Sequence, residues 1–245
     1  MDINIFLLCF NESAILPHAF NHYKKYLPNC KITIYDNEST DNSIVIAKNL
    51  GCDVFSFSSN NIHDEDLQIE LRNSIWKNCN SGWIIMADMD EFLCVTEMEL
   101  MNELQLGTTV LQINGYDMIG ESETIDLTDI DLQNINKYIQ NHYESKKLCF
   151  LREAIIDMNY GPGSHHCNPT GNVLYSSNIY INKHMNILGL NYLINKLTKR
   201  YERNEKMRSK GWNIHYTQDI DKIKNMYKNS IDNCNVIVKI IKYIL

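Results

Sequence analysis

The first hundred residues alternate short apolar runs with segments of helical period, and each apolar run stops at a polar cluster. Ile3 to Phe10 reads as a strand and Ala14 to Tyr26 as a helix with Pro17 in its first turn. Lys31 to Tyr35 is a β-rich run ending at Asp36. Asp41 to Leu50 is a predicted helix with Asp41 as N-cap and Gly51 beyond its end. Asp53 to Phe57 is the next strand. Asp64 to Asn78 is an amphipathic helix with Leu67, Leu71 and Ile75 on one stripe. Gly82 to Ala87 is an apolar strand running into Asp88-Met89-Asp90-Glu91. Fully apolar strands alternating with helices predict a parallel α/β sheet covered on both faces.

After about residue 105 the rhythm changes. Thr108 to Asn114 reads as a strand, Gly115 to Ser122 and Asp126 to Gln133 as polar loops, and Ile135 to Tyr143 as a helix. Leu148 to Ile156 is β-like, and Gly161-Pro162-Gly163-Ser164 breaks the chain. Beyond Leu190 the sequence is helical and basic. This divides the chain into residues 1–105 with the strand ends that carry polar clusters, 106–190, and a helical segment 191–245. With 30 Asp and Glu against 23 Lys and Arg, the net charge of −7 opposes nucleic-acid binding by bulk charge. The eight cysteines form no C-x-x-C pair and read as buried free thiols of a reducing, cytoplasmic compartment. The apolar run at Ile5–Phe10 lacks the basic flank of a secretory signal, and no stretch approaches the ~18 apolar residues of a membrane span.

In an open parallel sheet the ligand lies beyond the carboxyl ends of the strands. Three such ends are polar here: Asn11-Glu12, Asp36-Asn37 and Asp88-Met89-Asp90-Glu91. Two carboxylates at i and i+2 on a bend suit a hard divalent ion, which takes oxygen ligands and can hold a substrate diphosphate. The sequence contains neither of the two common glycine-rich phosphate cradles.

The strings Phe10-Asn11-Glu12, Tyr35-Asp36-Asn37-Glu38-Ser39-Thr40-Asp41 and Asp88-Met89-Asp90-Glu91-Phe92 agree in order and spacing with a known pattern. The first 95 residues closely resemble the family 2 glycosyltransferases of GT-A fold, in the branch with N-E, Y-D-N-x-S-x-D and D-x-D-E-F. The resemblance implies a GT-A (Rossmann-like) sheet, mixed but mostly parallel, flanked by helices and followed by C-terminal helices. It implies a sugar transfer from a nucleotide diphosphate sugar, read as a UDP-sugar, to an acceptor hydroxyl on a glycan, protein or small molecule, with inversion. Asn11, Glu12, Asp36, Arg72 and Asp88 would contact the donor. Asp88 and Asp90 would hold Mn²⁺ or Mg²⁺, with His165 or its neighbour His166 as a late metal ligand. The further likeness is weaker, in Gly115–Glu121 and Lys147–Leu151, and the branch's tryptophan is absent.

His215 is the rival late ligand, and His184 reads as a surface residue. An inverting transferase needs a carboxylate to deprotonate its acceptor. Asp117 and Glu121 are the candidates, with Asp157 also on a loop after the acidic bend. Arg72 has an alternative as a helix-surface ion pair with Asp66 or Glu70. The basic segment from Leu190 to Lys210 is either a solvated face over Leu190, Leu193, Leu197 and Tyr201 or a cationic cover over a diphosphate. Val236 to Leu245 is a packing element or a weak peripheral membrane contact. Two rival functions are a sugar-1-phosphate nucleotidylyltransferase and a non-catalytic nucleotide-sugar or glycan-binding module. The first would carry glycine and a basic residue where Asn11-Glu12-Ser13-Ala14 stands.

Overall fold

The computed structural model describes residues 1–211 and 216–236. Strands β1 (Ile3–Cys9), β2 (Lys31–Asp36), β3 (Asp53–Ser56) and β4 (Trp83–Asp88) alternate with helices α1 (Leu16–Tyr26), α2 (Ser43–Asn49) and α3 (Glu65–Ser74). β1 pairs in parallel with both β2 and β4, and β2 with β3. The chain therefore crosses to the far side of β1 after β3, which makes the β1–β4 boundary the point where strand order reverses. A crevice opens at such a point. β1 and β4 are buried almost throughout, which is why both read as unbroken apolar runs.

The second half completes the same sheet. β5 (Glu91–Cys94) and α4 (Glu97–Gln105) lead to β6 (Val110–Ile119), β7 (Lys137–Gln140) and β8 (Cys149–Leu151). A separate small ribbon pairs β9 (Ile155–Asp157) with β10 (Thr170–Gly171). β11 (Tyr175–Ile187) precedes α5 (Leu190–Arg203), α6 (Glu205–Ser209), α7 (Ile220–Asp232) and β12 (Asn235–Val236). β8 lies antiparallel to β4, while β11 runs parallel to β6 and antiparallel to β5. The result is the expected α/β architecture, a mixed, mostly parallel sheet flanked by helices, with further helices at the C-terminal side. No helix among the described residues is long and apolar enough to cross a membrane.

Several local expectations are corrected. Gly115–Ile119 is the second half of strand β6, held by β7 and β11. Ile135–Tyr143 holds strand β7 and the start of a 3-10 turn at His142–Glu144, so pairing with β6 overrides its helical pattern. Asn42 precedes α2, and Asp41 instead accepts from the Ser13 and Ser43 amides, tying two loops together. His215 and Ile237–Leu245 lie outside the described residues.

Gly115 is required by close approach. A Cβ there would collide with the backbone of Glu144, whose turn packs directly on β6. Gly115→Ala should lower the melting temperature by about 3–8 °C, from ~1–3 kcal/mol of overpacking. A melting curve unchanged within 1 °C, an experimental margin of about 0.3 kcal/mol, would show that the turn yields freely.

Candidate active site

A cavity of about 1140 Å³ lies beyond the carboxyl ends of β1, β2 and β4. Its floor is built from the β1 and β2 loops. Asn11 adopts a left-handed backbone (φ 53°), and its Oδ1 accepts from the Thr40 amide at 2.7 Å. The Asn11 and Glu12 amides donate to Ser39 and Ser43 hydroxyls. Much of the Asp36–Ser43 string is thus spent on loop geometry. Asp36 itself is buried, with Oδ2 accepting from the Ser39 amide at 3.0 Å and Oδ1 without a hydrogen-bond partner among the described residues. Phe10 and Asn37 line the cavity next to it.

The acidic bend between β4 and β5 is held by cations from α3, β11, α5 and the loop before β8. Asp88 Oδ1 accepts from Arg72 at 2.7 Å, and Oδ2 lies 3.4 Å from Lys146. Burial would raise the Asp88 carboxyl, but Arg72 and Lys146 hold it well below the usual range. Asp90 Oδ2 sits 2.6 Å from Lys196, 3.4 Å from His184 Nε2 and 3.5 Å from Arg200. These cations outweigh its burial and keep it ionised. Glu91 points into the protein, where its Oε1 meets Lys146 at 2.8 Å and its Oε2 accepts from the Asp88 amide. Glu12, which lines the cavity, is raised to about 7 by burial and then by the charge of Asp90. Arg72 reaches Glu65 and Asp88, so the alternative partners Asp66 and Glu70 are set aside. Glu65 also accepts from the Gly163 amide at 2.7 Å, which fastens the Gly-Pro-Gly loop to the acidic bend.

His184 is the residue that sequence reasoning misplaced. β11 registers it against Asp117 of β6 and Glu91 of β5, and it is buried instead of on the surface. Its Nδ1 lies 2.6 Å from Asp117 Oδ1 and its Nε2 faces Asp90. Burial opposes its charge, yet Asp90, Glu144 and the bond to Asp117 raise it to about 10. The signal was present in the β-branched and aromatic residues of 175–187, a strand that the polar spacing hid.

The other candidates divide. His165 lines the cavity, and its Nδ1 lies 2.9 Å from the Tyr143 carbonyl, while Nε2 has no hydrogen bond among the described residues. Asp117 is half-buried behind His184 and also accepts from Asn141 at 2.8 Å. Glu121 is not brought to the cavity: it is exposed and paired with Lys137, because β6 has ended and the chain has turned outward. Asp157 is likewise outside, paired with Lys77. Glu144 is a cavity carboxylate that the sequence did not reveal. It lines the cavity 3.2 Å from Lys146 and 3.7 Å from His184.

α5 forms one wall. Leu193 and Leu197 pack with Ile223 of α7, while Lys196, Arg200 and Arg203 line the cavity at i, i+4 and i+7. Of the two readings of this basic segment, the cationic cover agrees with the positions of these three side chains.

No family model matches the chain. Over 55 residues it is 31% identical to Protein RfbJ of Shigella flexneri, covering 22% of this chain and 43% of RfbJ. The crystal structure of S. aureus TarS is similar with a TM-score of 0.47 at 12% identity, covering 95% of this chain and 44% of TarS. Mycobacterium tuberculosis glucosyl-3-phosphoglycerate synthase, solved with Mn²⁺, uridine diphosphate and glucosyl-3-phosphoglycerate, gives 0.34 at 15% identity. That likeness covers 46% of this chain and 44% of the synthase. Each of these three matches covers less than half of the other protein.

The His184 pairings generate a pH test. Its folded value of about 10 exceeds the ordinary histidine value of 6.5, so protonation stabilises the fold. That contribution is complete below pH 6.5 and is lost as pH rises through about 10. His184→Gln should cost about 3–5 kcal/mol at neutral pH by leaving buried carboxylates uncompensated. In denaturant titrations the gap to wild type should close toward pH 10. A gap that is flat across this range would contradict the assignment.

Proposed function

We propose that the chain is a glycosyltransferase that moves a sugar from a UDP-sugar to an acceptor hydroxyl, with Mn²⁺ or Mg²⁺ and with inversion. The observation that carries this reading is the order of groups along the crevice. Phe10 and Asn37 line one end, where Asp36, the residue before Asn37, is buried with an Oδ1 that has no hydrogen bond among the described residues. Acidic and cationic groups, Asp88, Asp90, Lys196 and Arg200, meet at the other. An unpaired buried acceptor costs about 1–3 kcal/mol unless a ligand donates to it. Uracil presents an N–H on its pairing edge, whereas cytosine presents an acceptor at that position. Asp36 therefore suits a base that offers an N–H donor, as uracil does.

The donor set fits a hard divalent cation. Asp90 Oδ1 has no hydrogen bond among the described residues, and His165 keeps a free ring nitrogen in the same cavity. A tight cluster of three His, Cys, Asp or Glu is not preformed among the described residues. Magnesium-type ions do not need one, because one or two carboxylates plus substrate phosphates and water suffice. Charge balance agrees. Among the described residues seven carboxylates line the cavity, against six Lys and Arg side chains and the charged His184. The phosphoryl charges of a donor would therefore enter uncompensated unless a cation accompanied them. Asp88, Asp90 and His165 would hold that ion, which supplies Lewis-acid stabilisation of the leaving diphosphate.

The chain's own residues divide the remaining work. Glu144 is the acceptor-side base: it takes the hydroxyl proton as the acceptor oxygen attacks the anomeric carbon and the bond to the phosphate oxygen breaks. Lys196 and Arg200 receive the charge that develops on the leaving nucleoside diphosphate. Asp117 orients His184, and His184 in turn holds Asp90. His184 is protonated and tied to carboxylates, so it is unsuited to act as the base.

Thermal unfolding with UDP-sugars should show a Mn²⁺-dependent rise, since a ligand at 100-fold its Kd adds about 2.7 kcal/mol. Asp90→Asn should remove the Mn²⁺ dependence. No rise with any nucleotide sugar would contradict the reading. Glu144→Gln should retain donor binding and slow UDP release from the donor by about 10²–10⁴-fold. Equal release from variant and wild type would remove Glu144 from that role.

A further inference from the structure

The last residue of α5 lies where a nucleobase would stack. The Arg203 guanidinium carbon is 3.3 Å from the centroid of the Phe10 ring. Its Nη2 donates to Asn37 Oδ1 at 2.9 Å and to the Ile62 carbonyl at 3.1 Å, and its Nε donates to the Asn61 carbonyl. Phe10, Asn37 and Arg203 all line the cavity. Asp36, the residue before Asn37, exerts its charge on Arg203 but keeps a buried Oδ1 with no hydrogen bond among the described residues, so Arg203 covers the aromatic face without satisfying that acceptor.

We propose that Arg203 is an intramolecular competitor for the nucleobase, a gate that a base must displace from Phe10 to reach Asp36. This rests on the nucleotide-sugar reading of the cavity. A guanidinium and a base are both planar and cannot share one ring face. A base that stacks on Phe10 and donates to Asp36 replaces what it disrupts. A base-free sugar phosphate or pyrophosphate has no means of doing so, and it leaves the gate closed.

The movement is confined to a side chain. The Arg203 carbonyl accepts from the His63 amide at 2.8 Å, and the following turn is fastened by Lys206 to Asp64 and by Lys210 to Asp66. Those ties do not involve the guanidinium. Asn37 Oδ1 also accepts from the Ser59 hydroxyl, so it keeps a partner when Arg203 leaves. Truncation of Arg203 should therefore open the slot without unfastening α5.

The sign of one effect decides the matter. With the full chain in isothermal titration, Arg203→Ala should bind UDP about tenfold more tightly than wild type, the equivalent of one stacked, hydrogen-bonded cation removed. Affinity for inorganic pyrophosphate, which carries no base, should not change. Arg203→Lys, which lacks the planar fork, should also bind UDP more tightly than wild type. Weaker or unchanged UDP binding in both variants would overturn the gate and make Arg203 a donor contact or a structural residue. UDP binding absent from wild type and both variants would instead overturn the nucleotide-sugar reading on which the gate stands.

Discussion

Asp90 is the constraint on which the site depends. A carboxylate 2% exposed at the end of a buried strand must be given cations or lose its charge. The protein supplies them from far along the chain: His184 from β11, and Lys196 and Arg200 from α5. The β1–β4 half alone would leave Asp90 without these three partners. The second half of the chain is therefore what completes the acidic bend, and it does so by extending the sheet of the first half.

The same pairings link the cavity's parts mechanically. Glu65 joins the Gly-Pro-Gly loop to Arg72, Arg72 joins Asp88, and Lys146 joins Asp88 to Glu91 and Glu144. Glu144 sits on a turn that packs on Gly115 of β6, and β6 also carries Asp117 behind His184. A change at the acceptor side therefore reaches the acidic bend through one or two contacts. Lys196 and Arg200 are themselves held in position by Asp90.

The first half of the fold was legible because β1 and β4 are buried on both faces and the helices between its strands carry apolar stripes at helical spacing. The positions of Asp36, Asp88 and Asp90 followed, since polar residues just beyond an apolar strand must lie at its carboxyl end. The second half was not legible for specific reasons. Gly115–Ile119 contains Gly and Asp, which argue for a loop, but partners on both sides hold it as strand. His184 looked exposed among Lys183, Asn182 and Asn186, because a buried polar strand has no apolar period to reveal it. Glu121 looked equivalent to Asp117 at a spacing of four, whereas the strand ends between them. Lys196 looked like one more surface lysine, and its partner lies 106 residues away.

The most direct test is a crystal structure of the chain with UDP and Mn²⁺. The account predicts the diphosphate within hydrogen-bond reach of Lys196 or Arg200 beside Asp88 and Asp90, and the uracil on Phe10 with its N–H directed to Asp36. A diphosphate bound elsewhere, with Lys196 and Arg200 still on Asp90 and Asp36 still unpaired, would contradict it.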